Sequence, residues 1–275
     1  VNLPAGDFRT QLLRVRTDGS RATRYDQRFI TPWLALSHQW NADTLLYASW
    51  GQGVESDVAP NRSRYTNAGE PLPALKSEQS ELGLKIDEAT WAASFTAFDI
   101  RRPAAVDLGR CDDDGTCTRL VDGNARHRGV EASGDLRLGA VTLRASTQWL
   151  RAQREGASNA TDNGLSPTNV AERSARLAVI WQVAAVPGLS TQASLSAEGP
   201  RYVLPDNSLR TPGWASTGLS ARYTTQALGR AWLLRLGVDN LFDQRAWKES
   251  PYQFGHAYLY PLAPRTWRAS IQATL

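Results

Sequence analysis

The chain has 275 residues, 41% of them hydrophobic and 21% charged, with ten Trp, no Met and a formal net charge of +4. Its basic residues are nearly all Arg and are spread along the whole length, which argues against a nucleic-acid partner and suits a surface or lumen that meets anionic ligands. No run approaches the roughly eighteen apolar residues of a membrane helix, so an α-helical membrane protein is excluded. Position 1 is Val, and the chain is expected to begin after a cut.

Period-two alternation dominates the chain from end to end. It predicts about twelve strands, over residues 8–16, 24–40, 43–55, 76–86, 90–102, 125–137, 140–152, 170–184, 190–203, 213–225, 230–241 and 264–275. In VTLRASTQW, Val141, Leu143, Ala145, Thr147 and Trp149 share one face, opposite Thr142, Arg144, Ser146 and Gln148. In SARLAVIWQV, Ala175, Leu177, Val179, Trp181 and Val183 oppose Ser174, Arg176 and Gln182. The last strand alternates Trp267, Ala269, Ile271, Ala273 and Leu275 with Arg268, Ser270, Gln272 and Thr274. TWAASFTAFDI, 90–100, fits either register.

Segments of about ten alternating residues with aromatic ends are what a lipid-spanning strand of a closed barrel needs, because every backbone group must be paired and the two faces meet hydrocarbon and a wet lumen. The connections support this. Short ones near 41–43, 87–89, 138–139, 186–189 and 226–229 alternate with long ones near 58–76, 104–124, 153–168, 205–211 and 243–264, the rim asymmetry of an outer-membrane barrel. A soluble all-β sandwich or propeller also alternates, but long strands with aromatic ends count against it. The expected fold is therefore all-β, an antiparallel transmembrane β-barrel, with the long loops extracellular.

Cys111 and Cys117 lie in CDDDGTC within a long loop. Two Cys in an exported protein usually pair, so a short-loop disulfide is favoured. The alternative is a metal site with Asp112, Asp113 and Asp114, but those acids lack calcium-loop spacing and have no nearby His to complete a zinc set. No metal is expected. His38, His127 and His256 are scattered, and His127 is followed by Arg128 and Gly129, with the nearest following serine at Ser133. No nucleophile, base and orienter assemble, so no catalytic residue is expected.

LYASWGQGVESDVAP (46–60), LPALKSEQSELGLKI (72–86), FTAFDIRRP (95–103), ARHRGVEASGDLRLG (125–139), GVDNLFDQRAW (237–247) and YLYPLAPRTWRASIQATL (258–275) occur in the order and spacing of the C-terminal half of TonB-dependent outer-membrane receptors. The chain resembles the ferric-siderophore branch of that family over essentially its whole length. The resemblance implies that Asn-Leu-Phe-Asp ends the penultimate strand and that the last strand is the signal read by the barrel-assembly machinery. Family members usually end in an aromatic, most often Phe, where this chain has Leu275. Large outer-membrane transporters have about 22 strands around a plugged lumen. About twelve strands and no plug are present here, so residues 1–275 are expected to be a single partial domain, the C-terminal part of such a barrel.

The resemblance implies TonB-driven uptake of a ferric siderophore in a Gram-negative outer membrane. Partners would be the siderophore, outer-membrane lipid, and the TonB energy-coupling complex acting through a missing N-terminal plug. Loop residues Arg64, Tyr65, Tyr202, Trp247 and Tyr252 are the expected direct ligand contacts. Arg144, Arg176, Arg222, Arg235 and Arg268 alternate inward and are expected to line the lumen, where they solvate the wall or steer an anionic ferric chelate. No covalently bound cofactor is expected. Other readings are a complete twelve-stranded porin or autotransporter-type barrel, which requires the first and last strands to pair, and an outer-membrane hydrolase.

Overall fold

The computed structural model describes residues 28–111, 115–253 and 255–274. The strand expected at 8–16, the acids Asp112, Asp113 and Asp114, and Leu275 lie outside the described residues. Eleven strands form one antiparallel meander: β1 (Trp33–Asn41), β2 (Thr44–Glu55), β3 (Leu75–Asp87), β4 (Trp91–Gly109), β5 (Cys117–Leu138), β6 (Val141–Glu155), β7 (Arg173–Gln182), β8 (Leu189–Glu198), β11 (Trp214–Ala227), β12 (Arg230–Asp239) and β17 (Thr266–Ala273). Between them lie short loop strands, β9 (Arg201–Tyr202) with β10 (Arg210–Thr211), β13 (Trp247–Glu249) with β16 (Tyr260–Pro261), and β14 (Tyr252–Gln253) with β15 (His256–Ala257). β1 and β17 stand at opposite ends of the sheet, so among the described residues the pairing that a complete small barrel requires is not made. No helix among the described residues is long and apolar enough to cross a membrane.

Register turns the alternation into two faces. Pairs such as Trp91↔Leu136, Phe95↔Ala132 and Val130↔Trp149 place aromatic and aliphatic side chains outward, and Trp149 is 58% exposed, as a lipid-facing residue would be in the absence of lipid. On the other face Ser94↔Ser133, Ser133↔Ser146 and Ser146↔Arg176 form a polar row. The same pairings settle the ambiguous segment: Trp91, Ala93, Phe95 and Ala97 face lipid, while Phe98 turns inward over Gly129. Gly83 serves the inner face similarly, because a Cβ there would overlap the Tyr47 ring. Tyr47 thereby crosses β3 to hydrogen-bond Thr96 at 3.0 Å.

The tight rim follows turn chemistry. Ala227↔Arg230 is closed by Leu228 and Gly229, both with positive φ, the two-residue turn whose twist matches that of the strands. The other rim departs from expectation. Residues 104–124 read as a loop, yet β4 and β5 run on to Gly109↔Cys117 past a bulge between Pro103 and Ala105. At ~3.3 Å per residue the 22 residues of β5 reach roughly 70 Å, or about 50 Å along the normal at a 45° tilt, against a hydrocarbon core of about 30 Å. The hairpin end therefore stands clear of lipid, and its pattern is cut off from the spanning part by Pro103 and the bulge that follows.

Candidate functional site

Most of the buried apolar residues lie at the long-loop rim: Ala59, Tyr65, Leu72, Leu75, Cys117, Val203 and Trp214. The loops are thus packed against one another rather than left as solvated tethers. The β2–β3 connection lies on the extended β4–β5 hairpin. Backbone bonds Cys117 N to Arg64 O and Thr66 N to Cys117 O, at 2.9 and 2.8 Å, dock it as a short parallel bridge. Asn67 fixes it further, donating to Arg119 O at 2.7 Å and accepting from Arg119 N at 3.1 Å. Arg119 also spans two carboxylates, Asp57 at 2.8 Å in the loop and Asp107 at 3.1 Å on the opposite strand. Cys111 and Cys117 are joined by a disulfide, Cα–Cα 5.1 Å, which closes the hairpin tip.

Tyr65 is 4% exposed and donates its phenol to Asp107 Oδ2 at 2.9 Å. Burial, then the hydrogen bond and charge of Asp107, push its pKa up from 10.0 to about 12. A folded-state pKa above the unfolded value means that the neutral phenol supports the docked loop fully below pH 10 and that this support is lost as pH rises through about 12. Subtracting the alkaline ultraviolet titration of a Tyr65→Phe variant from that of the wild type is expected to isolate one phenol titrating near pH 12. A difference curve centred near the ordinary value of 10.0 would refute the buried, Asp107-bonded phenol.

A second junction gathers three other loops. Arg201, 6% exposed on β9, ion-pairs Glu198 and donates to Asn169 Oδ1 at 3.1 Å. The same Asn169 oxygen accepts from Ser250 N at 2.7 Å, and Asn169 N donates to Tyr202 O at 2.9 Å. Asn207 bonds Ser166 through both backbone groups, at 2.8 and 2.9 Å. Asn169 and Asn207 both hold positive φ, which asparagine tolerates better than most residues. Ser250 Oγ, Thr211 Oγ1 and Trp214 Nε1 are buried here with no hydrogen-bond partner, so this is where water or a ligand group would find unsatisfied polar atoms.

At the third junction Asn240, φ 48°, follows the last residue of β12 and opens the last long loop. Its amide donates to Gln244 O and Ala263 O, both at 2.9 Å, and its oxygen accepts from Gln244 N at 2.8 Å. Asp243 accepts from Arg265 N at 3.0 Å, and Leu241 N donates to Thr217 O at 2.8 Å on β11. Asn-Leu-Phe-Asp thus gathers both ends of a 26-residue excursion, from 240 to 265, onto the neighbouring strand.

The sequence-derived residues fall into two sets. Arg144, Arg176, Arg222, Arg235 and Arg268 all lie on the polar face, through registers Arg144↔Ala178↔Ser194, Arg176↔Ser196, Arg222↔Arg235↔Ser270 and Gly237↔Arg268. Arg144 pairs with Asp135 at 2.7 Å and Arg268 with Asp239 at 2.6 Å. A depression of about 550 Å³ on this face is lined by Arg144, Arg176, Ser146 and Ser194. Of the loop residues, Arg64 lies beside the disulfide, its Nη1 3.5 Å from Cys111 O. Tyr202 lies under the Arg210 guanidinium at 5.7 Å, Trp247 is exposed on β13, and Tyr252 is half-buried on β14. Tyr65 is enclosed. Arg201, Asn169, Asn207 and Arg119 had no sequence pattern to expose them; the frequency of Asn in the loops, as left-handed turn formers, is the one available signal. Among the described residues no three His, Cys, Asp or Glu side chains are placed to hold a metal ion.

A polar inner face, a lipid-facing band and a packed loop layer at one rim define a segment of an outer-membrane barrel wall. The chain belongs to the TonB dependent receptor-like β-barrel family, whose profile matches residues 7–241. That family is one of receptors of the Gram-negative outer membrane, where this barrel wall resides. The chain is 26% identical over 92% of its length to the ferrichrome receptor FcuA of Yersinia enterocolitica. It is 27% identical to the ferric preacinetobactin receptor BauA of Acinetobacter baumannii, covering 90% of this chain with a TM-score of 0.74. The fold is shared with the ferric yersiniabactin uptake receptor FyuA of Yersinia pestis at 19% identity, 92% coverage and a TM-score of 0.73. The chain spans 32% of the length of FcuA, 37% of BauA and 38% of FyuA.

Proposed function

We propose that residues 1–275 form the C-terminal part of the barrel of a TonB-dependent receptor that imports a ferric siderophore, with the long-loop rim extracellular. Similarity to a ferric-siderophore receptor along nine-tenths of the chain carries this reading. The loop layer supports it, since ligand capture is favoured by loops already fixed in place. Arg64, Tyr202, Trp247 and Tyr252 are the candidate contacts; Tyr65, 4% exposed and bonded to Asp107, would instead hold the loop that carries Arg64. The arginines of the polar face would draw an anionic chelate inward. The energy-coupling complex acts through a plug outside this chain, the last strand is read by the assembly machinery, and no covalent chemistry occurs.

The test is made in iron-limited cells. An antibody raised against residues 243–264 is expected to detect a heat-modifiable outer-membrane band well above the 30.2 kDa of this chain. Deleting the gene, or the energy-coupling protein, should abolish uptake of the cognate ferric chelate. Uptake that survives both deletions would sink the proposal.

A further inference from the structure

The outward face carries a feature that lipid-facing alternation does not require. Directly above the apolar band, Arg128 on β5 lies opposite Arg151 on β6, and Arg173 on β7 lies opposite Trp149, one pleat from Arg151. All three are exposed. Like charges placed directly opposite destabilise a strand pair. Asp99 relieves this only in part, accepting from Arg128 Nε at 3.1 Å while also pairing with Arg126. Arg151 and Arg173 have no ion pair among the described residues. Beneath them the outer face is indented: a groove of about 460 Å³ is lined by Leu46, Leu82, Leu84, Phe95, Val130 and Trp149. Val130 and Trp149 also border an adjoining depression of about 870 Å³ that includes Arg128, Arg151 and Arg173.

We propose that this is a binding site for a phosphorylated, multiply acylated lipid of the outer leaflet, its phosphate held between Arg128, Arg151 and Arg173 and one acyl chain lying in the groove beneath. Guanidinium groups suit phosphate because they donate forked, charge-assisted hydrogen bonds. The site sits where a headgroup meets hydrocarbon, with the cation cluster and the apolar groove joined through Val130 and Trp149. An anion between Arg128 and Arg151 converts their repulsion into a shared contact. The site is independent of what the receptor imports, because it faces away from both lumen and loops.

The test uses the intact outer-membrane protein carrying this chain, extracted in detergent and challenged with a phosphorylated outer-leaflet glycolipid in mixed micelles, its enzymatically dephosphorylated form, and inorganic phosphate. The phosphorylated lipid should bind at least about tenfold more tightly than the dephosphorylated form, with inorganic phosphate competing weakly. Arg128→Gln/Arg151→Gln/Arg173→Gln should erase the difference. Arg151→Gln alone, which breaks no bond in the structure, should reduce it several-fold and serves if the triple variant fails to assemble. Leu82→Trp, which fills the groove and leaves the arginines in place, should weaken the lipid but not inorganic phosphate. Equal binding of both lipid forms, wild-type affinity in Arg151→Gln, or inorganic phosphate matching the lipid would overturn the proposal, the last result marking a free-anion site.

Discussion

Replacing Arg201 with alanine is expected to cost the loop layer about 3 kcal/mol, at the lower end of what is lost when one partner of a buried ion pair is removed. Arg201 has a 6% exposed side chain, whereas Glu198 retains 26% exposure and can be partly resolvated. The loss extends beyond the pair, because Arg201 also donates to Asn169, the oxygen that receives Ser250 N. Freed from that donor, Asn169 keeps the 240–265 loop by a single bond. Of the barrel strands Arg201 touches only Glu198, the last residue of β8, so the barrel should assemble normally. Limited proteolysis of whole cells is the appropriate measurement, with cleavage in 199–213 and 240–265 accelerated roughly a hundredfold while the heat-modifiable band persists. Arg201→Met with Glu198→Leu should recover most of the protection, since an apolar pair of similar volume can replace a buried ion pair. Protection unchanged in Arg201→Ala would mean that the loops are held by something other than this junction.

The contrast between strands and loops runs through how much of the molecule could be read from its residues. Strand β6 was legible because lipid enforces its pattern: Val141, Leu143 and Trp149 must face hydrocarbon, and a one-residue slip would place Arg144 there instead. At Phe98 that logic weakens, because an aromatic residue can face inward when its neighbour is Gly129, and only pairing reveals this. The β4–β5 extension was hidden for a different reason. Beyond the bulge after Pro103, Asp107 opposite Arg119 holds one face of the hairpin and Val106 opposite Leu120 the other, but the proline and the register shift break the run, so the sequence reads as loop. The junctions were least legible of all. Asn169 meets Ser250 across 81 residues of chain, and Arg119 meets Asp57 across 62. Nothing local in either sequence specifies the meeting, because the barrel brings the loops together. The outward arginines were visible as residues, but without the register Arg128 and Arg151 could not be placed opposite one another.

The Asn-Leu-Phe-Asp motif lies at the meeting of those two kinds of information, and Asn240→Ala is expected to be the most damaging loop substitution, at roughly 3–5 kcal/mol. Asn240 is 4% exposed, so Gln244 N, Gln244 O and Ala263 O would be left without their partner in a place water reaches poorly. Each such group costs about 1–3 kcal/mol, reduced here by whatever water enters the vacated space. Holding alanine at φ 48° adds about 1 kcal/mol. Three replacements separate the contributions. Asn240→Gly should recover only the backbone part. Asn240→Asp keeps the acceptor for Gln244 N but turns an anionic oxygen toward two carbonyls, so it should be nearly as harmful as alanine despite its shape. Asn240→Ser has a single hydroxyl to offer and should fall between. The readout is the rate of loop cleavage together with the yield of heat-modifiable protein, because Leu241 N is bonded to Thr217 on β11 and a loosened clamp should fray the rim at which β12 and β17 must pair. If Asn240→Asp matched the wild type in both, the amide would not be the bonding group, and the break in the alternation at Asp239-Asn240 would be a turn preference rather than a clamp.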